Sequence, residues 1–240
     1  AEEQWPPSAM VPTRWYLRSS GRANTGSGDG RLAMEGPGAG EQADRYDYDP
    51  ADPVPTVGGV SSVLTMTQNA ESPVLPGPRD QRVLERRDDV LCYTSEVLER
   101  ELELIGPVEA VLYVASSAPD TDFLVRLVDV HPNGKAILVS EGMLRARYRL
   151  GNDGDRTELL EPGEATELRI RCYPTAIVLP AGHRLRVDVT SSSFPRFSRN
   201  LNTGEDIGTG TRMQVAHQTV LHTSAYPSHV VLPVTSGPAR

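Results

Sequence analysis

The chain has 240 residues, and its 24 basic and 32 acidic side chains give a formal net charge of −8 at pH 7. This acidic balance provides no positively charged surface for phosphate groups, so we expect no nucleic-acid partner. No run reaches the ~18 apolar residues that a membrane span requires, so we expect no membrane partner. The 21 glycines and 20 prolines predict many short segments joined by turns.

The first residue is Ala1, and the N-terminal sequence has neither the basic start nor the apolar stretch of a signal peptide. We therefore expect a piece of a longer protein, and a cytoplasmic location is slightly favoured. The two cysteines, Cys92 and Cys172, are too few for a disulfide framework or a four-cysteine zinc site. Both fall in predicted strands, where we expect buried free thiols, with one cross-strand disulfide as the alternative.

The first third of the chain is rich in loops. Residues 13–19 predict an opening strand, because apolar and polar positions alternate there, and residues 21–30 read as a loop of small residues. Residues 35–55 predict a long extended connection, and residues 58–80 predict a second long loop. Only residues 79–89 show a pattern compatible with a short helix.

From Asp88 onward, apolar residues fall on alternate positions in successive segments, which is the period of a half-buried strand. Two further segments, 108–116 and 123–130, are more continuously apolar and predict central strands covered on both faces. The residues predicted to face the interior are Leu144, Ala146, Tyr148, Leu168, Ile170, Cys172, Leu185, Val187 and Val189. The polar residues between them, among them Arg145, Asp188 and Thr190, are predicted to face water or a partner.

About ten short strands without alternating helices predict an all-β fold, an antiparallel β-sandwich. Eight or more strands favour a jelly roll over an immunoglobulin-type sandwich. We expect one structural domain overall. In it, residues 1–55 form an N-terminal segment that completes or wraps the sandwich, and residues 56–240 form the jelly roll.

The sequence contains no Gly-x-Ser-x-Gly turn, so the nucleophile of an α/β-hydrolase is missing, and we expect no catalytic residue. A serine run, 191–193, follows a predicted strand, and we expect these serines to hydrogen-bond to backbone or solvent rather than to pair with His183 as a base. We expect neither a metal site nor a cofactor. His217 and His222 differ by five positions and so lie on opposite faces of one strand, and His131, His183 and His229 are interpreted as structural or surface residues.

Two acidic turns, 120–122 and 152–155, do not fit the twelve-residue calcium loop. We interpret them as turn caps, with a structural calcium ion as the alternative. Arginine supplies 23 of the 24 basic residues, Lys135 being the exception. Rows such as Arg145, Arg147 and Arg149 could pair with acidic strands or with a partner domain, although a biased genome composition explains the same count.

Several long, ordered motifs resemble the C-terminal region of the cocaine esterase and X-Pro dipeptidyl-peptidase (CocE/NonD) family of serine hydrolases. They span nearly the whole chain. In order, they are 48–59 (YDPADPVPTVGG), 88–93 (DDVLCY), 118–123 (APDTDF), 127–130 (LVDV), 144–149 (LRARYR), 180–184 (PAGHR), 191–200 (SSSFPRFSRN) and 227–233 (PSHVVLP).

The resemblance implies a C-terminal jelly roll of galactose-binding-like type that packs on an α/β-hydrolase domain carrying a Ser-His-Asp triad. The triad has no matching positions here, so we expect the chain alone to be inactive. The resemblance also implies that the loop after Gly58 and Gly59 forms one wall of the acyl pocket. The matching side chains are Val60, Val63 and Leu64, and the absence of phenylalanine there favours an aliphatic or open pocket.

The expected partner is therefore the α/β-hydrolase catalytic domain of the same parent protein. An exposed apolar patch is expected at Val60, Val63, Leu64 and the segment around Trp15, so the isolated chain is expected to self-associate. The alternative is that the loop folds back on its own sandwich and buries these side chains. The alternative function is a freestanding carbohydrate-binding jelly roll, which would need exposed aromatic residues along a sheet face. Only 5% of the residues are aromatic, and both tryptophans lie in the N-terminal segment.

Overall fold

The computed structural model describes residues 4–60, 76–151 and 156–235. These residues form twelve strands and two single 3-10 turns, at Gln81–Val83 and Ala146–Tyr148. The strands are β1 Met10–Arg18, β2 Arg31–Ala33, β3 Asp44–Tyr48, β4 Leu91–Thr94, β5 Leu102–Ser116, β6 Asp122–Val130, β7 Ala136–Arg145, β8 Thr166–Leu179, β9 Arg184–Thr190, β10 Ala216–Thr223, β11 Tyr226–Pro227 and β12 His229–Thr235. The all-β prediction is confirmed.

The strands are joined in the order β11-β10-β5-β12-β1-β2-β4-β9-β6-β7, while β3 pairs with β10 and β8 pairs with β5. All pairings are antiparallel except the short contact between β2 and β4, at Arg31 and Thr94. The arrangement is compatible with a jelly roll. None of the helical turns in the described ranges is long enough to cross a membrane.

One main core fills the interior and draws residues from strands throughout the chain. Every residue of the central strand β6 is buried, as the continuously apolar run 123–130 predicts. In β8 the predicted alternation is confirmed, since Leu168, Ile170 and Cys172 are buried while Arg169 and Arg171 are exposed. Both cysteines are buried free thiols.

The N-terminal residues contribute three strands to this sheet. β1 lies between β12 and β2, and β3 lies along β10 over five residue pairs. Leu17 of β1 and Tyr48 of β3 are buried in the main core. Trp15 also lies there and is 8% exposed, so the expectation that it contributes to an exposed apolar patch is wrong. Its position in β1, facing the core, is the physical reason.

A smaller core lies on the outer face of β4 and explains a difference in β9. The prediction placed Asp188 and Thr190 on a solvent face, whereas the structure buries both. Val54, Leu84, Val90 and Cys92 pack together there. The outer face of the sheet is covered here by the loop segments before β4, so residues 187–190 of β9 are buried on both faces.

The alternation of residues 144–149 does not continue as one strand. β7 ends at Arg145, and a 3-10 turn follows at Ala146–Tyr148. Ala146 is buried and Leu144 packs against the core, as predicted. Arg145, predicted to face outward, is buried because it pairs with Asp122 on β6 at 2.9 Å.

Candidate functional site

The loop that the resemblance implies as a pocket wall is closed at its base by a pair of glycines. We call this pair, Gly59 and Gly77, the loop base. Gly59 and Gly77 exchange two backbone hydrogen bonds, each 2.9 Å long. This pairing joins the two ends of the segment 61–75, which lies outside the described residues together with Val63 and Leu64. Val60, the first residue beyond the base, is described and is 60% exposed. The base thus fixes where the segment leaves and rejoins the domain.

The base rests on a buried ion pair between Glu141 of β7 and Arg196. Gly59 has a φ of 85° and lies so close to this pair that a Cβ atom there would overlap both side chains. Arg196 donates its backbone N–H to Oγ1 of Thr56 at 3.2 Å, and Thr56 donates its own N–H to the carbonyl of Phe194 at 2.8 Å. Two chain segments therefore converge on Glu141.

Aromatic side chains with stacked arginines surround this base. Phe194 is 41% exposed and Tyr173 is 48% exposed. The Arg196 guanidinium lies 5.4 Å from the ring centre of Tyr173, and that of Arg199 lies 5.3 Å from the ring centre of Phe194. We call residues 58–60, Tyr173 and 194–199 the loop-base face. Aromatic rings and arginines are the side chains enriched at protein interfaces.

Below this face a row of charged residues crosses three strands in register. Arg126 of β6 lies opposite Glu141 of β7 on one side and opposite Asp188 of β9 on the other. All three are buried. Burial raises the pKa of the Asp188 carboxyl, against the opposing effect of Arg126 and Arg186. The row places charge beneath the loop base without exposing it to water.

The acidic turn 120–122 forms ion pairs rather than simple turn caps. Asp120 accepts from Arg147 at 2.8 Å and Asp122 accepts from Arg145 at 2.9 Å. The side-chain amide of Asn200 donates to both carboxylates, at 2.9 and 2.8 Å. Arg145 and Arg147 of the arginine row thus pair with acidic residues of this domain, which was one of the possibilities that the sequence left open. The second acidic turn, 152–155, lies outside the described residues.

The serine run is buried and used for internal hydrogen bonds. The hydroxyls of Ser191 and Tyr46 are 2.9 Å apart, and Oγ of Ser192 accepts the backbone N–H of Val54 at 2.8 Å. Ser193 shares a hydrogen bond with Thr56 at 3.1 Å. Nδ1 of His183 instead lies 2.7 Å from Oδ1 of Asp129. The hydrogen bonds of the three serines connect the end of β9 to residues 46–56.

The histidines separate into different environments. His217 is exposed and His222 is fully buried, which confirms that they lie on opposite faces of β10. His131 and His183 meet at Asp129, a cluster that the sequence reasoning missed. Their sequence separation exceeds fifty residues, so no local spacing could reveal the cluster. The available signal was that Asp129 ends an apolar strand and that each histidine lies in a Pro/Gly turn.

Comparisons with known proteins give consistent results. A family described as the X-Pro dipeptidyl-peptidase C-terminal non-catalytic domain matches residues 1–231. Cocaine esterase of Rhodococcus sp. (strain MB1 Bresler) is 44% identical over 237 residues. The match covers 97% of this chain and 39% of the esterase, so the chain spans about two fifths of that relative.

Solved structures show the same fold. An aminopeptidase from the marine sediment archaeon Thaumarchaeota archaeon superposes with a TM-score of 0.83 and 28% identity, over 98% of this chain and 38% of the aminopeptidase. An alpha-amino acid ester hydrolase gives a TM-score of 0.77 and 28% identity, over 93% of this chain and 36% of the hydrolase. The resemblance drawn from the motifs is confirmed: the chain belongs to the family of X-Pro dipeptidyl-peptidase C-terminal non-catalytic domains.

Proposed function

We propose that this domain packs on an α/β-hydrolase catalytic domain through the loop-base face, and that Val60, Val63 and Leu64 form part of the wall of its acyl pocket. The observation that carries the proposal is the Gly59–Gly77 base, which anchors the loop next to exposed aromatic rings. An ester or peptide-bond hydrolase is the catalytic partner that the named relatives favour.

The geometry of the base supports a positioning role. A pocket wall must hold its side chains at a fixed distance from the reacting group, because small displacements cost large factors in rate. Here the loop is anchored by two backbone hydrogen bonds and by the buried Glu141–Arg196 pair. In addition, Nε2 of Gln81 donates to the carbonyl of Val57 at 3.0 Å. The described ends of the loop, at Gly59 and Gly77, are therefore held in fixed positions.

The exposed rings support the packing role. Phe194 and Tyr173 each present an aromatic surface beside the base, and Val60 adds an aliphatic side chain. Burial of these side chains against a partner would stabilise the contact by roughly 25 cal/mol for each Å² of apolar area removed from water. Arg199, which is stacked on Phe194 and only partly buried, adds donors for carboxylates on the partner.

A chimera tests the proposal. This chain replaces the matching C-terminal region of the Rhodococcus cocaine esterase, and kcat/KM is measured for esters that share one alcohol but differ in acyl size. We expect an active chimera in which Val63→Ala and Leu64→Ala change the ratio between large and small acyl groups. The matched control is Val178→Ala, an exposed valine of β8 five residues beyond Tyr173. An unchanged ratio in the loop variants would remove the pocket-wall assignment.

Sedimentation of the isolated chain tests the packing face separately. If the face is apolar and uncovered, the chain self-associates, and the double variant Val63→Asp, Leu64→Asp weakens that association at an unchanged melting temperature. A large fall in melting temperature would instead place these side chains in the core of the domain.

A further inference from the structure

We propose that Asp129, His131 and His183 form a binding site for a divalent first-row transition metal, with Zn²⁺ as the probe. One potential ligand atom from each residue lies within 4.8 Å of the other two. Two imidazole nitrogens and one carboxylate oxygen are ligands that suit Zn²⁺ and its neighbours in the first transition row. This site is independent of the proposed docking role.

Each imidazole already lies near one oxygen of the Asp129 carboxylate. Oδ1 of Asp129 is 2.7 Å from Nδ1 of His183, and Oδ2 is 3.3 Å from Nε2 of His131. The centres of the two rings are 4.5 Å apart. Two ligands on opposite sides of a zinc ion are separated by at most ~4.2 Å, given bond lengths of ~2.1 Å. Side-chain rotations that move the ligand atoms by less than about 1 Å would therefore close the site.

The three residues occupy defined backbone positions. Asp129 lies near the end of β6, on the same face as the core residues Val125 and Leu127, and is 7% exposed. His131 begins the turn to β7, and its N–H donates to the carbonyl of Lys135 at 2.8 Å. A site on rigid elements loses little conformational entropy when it binds an ion.

His183 is fixed in the same way from the turn between β8 and β9. Its carbonyl accepts the N–H of Leu98 at 2.8 Å, and Gly182 donates its own N–H to the carbonyl of Leu98 at 2.8 Å. The His183 side chain is 13% exposed, and that of His131 is 35% exposed. The cluster is therefore enclosed on the core side and accessible from solvent at His131.

The charge and chemistry of the cluster favour a cation. With neutral histidines the three side chains carry one negative charge. Each neutral imidazole can carry its single proton on the nitrogen that faces away from the ion. At His183 the hydrogen bond between Nδ1 and Asp129 would then be replaced by metal–ligand bonds. Three protein ligands leave a tetrahedral position for water. A bound ion would link the β6–β7 turn to the β8–β9 turn.

The domain contains a natural control pair. Nδ1 of His217 lies 2.7 Å from Oδ1 of Asp47, the same separation as between His183 and Asp129. These two side chains are about two-thirds exposed and supply two ligands instead of three. If binding requires the three-residue cluster, substitution of His217 leaves the affinity unchanged.

Isothermal titration calorimetry of the tag-free, chelator-treated full chain with Zn²⁺ tests the site. We expect one ion per chain, a higher melting temperature with Zn²⁺, and a loss of affinity of tenfold or more in Asp129→Asn, His131→Asn and His183→Asn. His217→Asn should bind like the wild type. Co²⁺ should give the visible absorption of a tetrahedral ion, which the three site variants lose.

Three results would overturn the proposal. They are no binding to the wild type, binding that survives all three site substitutions, or equal weakening by His217→Asn. Circular dichroism in the absence of metal checks each variant. If one of the other two variants does not fold, His131→Asn is expected to remain folded, because His131 is the most exposed of the three residues.

Discussion

The hydroxyl of Tyr93 donates a 2.8 Å hydrogen bond to Oδ2 of Asp44, in the interior of the domain. Asp44 belongs to β3 of the N-terminal segment and Tyr93 belongs to β4. The same carboxylate accepts from Ser19 and from the N–H of Ala23, and lies 2.8 Å from Nε2 of His222. This buried group connects the N-terminal segment to strands on both sides of the core.

Asp44→Asn is expected to lower stability at pH 7 by about 2–4 kcal/mol, because it replaces a charged acceptor of several buried hydrogen bonds by an amide. Burial raises the pKa of Asp44, but its hydrogen bonds with His222, Ala23, Ser19 and Tyr93 bring the net pKa below its ordinary value. Urea unfolding of both proteins measures the difference.

The pH dependence has a defined sign. A lowered carboxyl pKa contributes stability above the unfolded pKa of ~3.9, and this contribution is lost as the pH falls through the lower folded value. The difference between wild type and Asp44→Asn should therefore shrink below about pH 4. The control, Asp47→Asn on the exposed face of β3, should change stability little. A constant difference from pH 7 to acid would contradict the assigned role of the charge.

Sequence patterns predicted the regular strands well but not these long-range contacts. β8 was recognised because one face is covered and the other is exposed, which gives a clear alternation. Nothing local to residues 44–48 indicates that they pair with β10, since that pairing depends on a strand more than 160 residues later. The role of Asp44 was therefore visible only in the structure.

Arg126 and Asp188 should be coupled. Asp188→Leu removes the negative charge that attracts the buried Arg126, so this variant is expected to lose about 3–5 kcal/mol of stability. The double variant Arg126→Met, Asp188→Leu should recover most of that loss, because no unpaired charge remains at this pair. A double-mutant cycle by urea unfolding, with Arg126→Met and Asp188→Leu as the single variants, measures the coupling. Additive effects would show that the two charges do not interact.

Gly59→Ala should be more destabilising than Gly163→Ala. Both glycines have similar positive φ values, 85° and 86°, so both substitutions carry a similar backbone strain of about 1 kcal/mol. A Cβ at Gly163 would meet no atom within 4 Å, whereas one at Gly59 would overlap the Glu141–Arg196 pair. Differential scanning calorimetry compares the variants. Equal melting temperatures would mean that the loop base is not packed as described.

The isolated chain should not react with a fluorophosphonate probe. Ser191, Ser192 and Ser193 are at most 6% exposed and their hydroxyls are engaged in hydrogen bonds to residues 46–56. Intact-mass spectrometry after incubation with the probe measures labelling. Stoichiometric modification of any of the three would show that the domain contains its own nucleophile.

The missed features share a physical cause. Asp188 looked solvent-facing because alternation in β9 does not reveal that loop segments cover the outer face as well. Alternation likewise predicted an exposed Arg145, because the pattern does not reveal that its partner Asp122 lies on a neighbouring strand. Pattern reading assumes one covered face per strand, and it fails where distant segments or ion pairs cover the second.

Hydrogen exchange tests the central claim, that the loop-base face is the docking surface, most directly. Exchange of the isolated chain is compared with exchange of the same chain in the cocaine esterase chimera. We expect new protection in residues 55–60, 76–80 and 194–199, with little change in the 131–135 and 180–183 turns. Protection confined to those two turns, or unchanged exchange throughout, would contradict it.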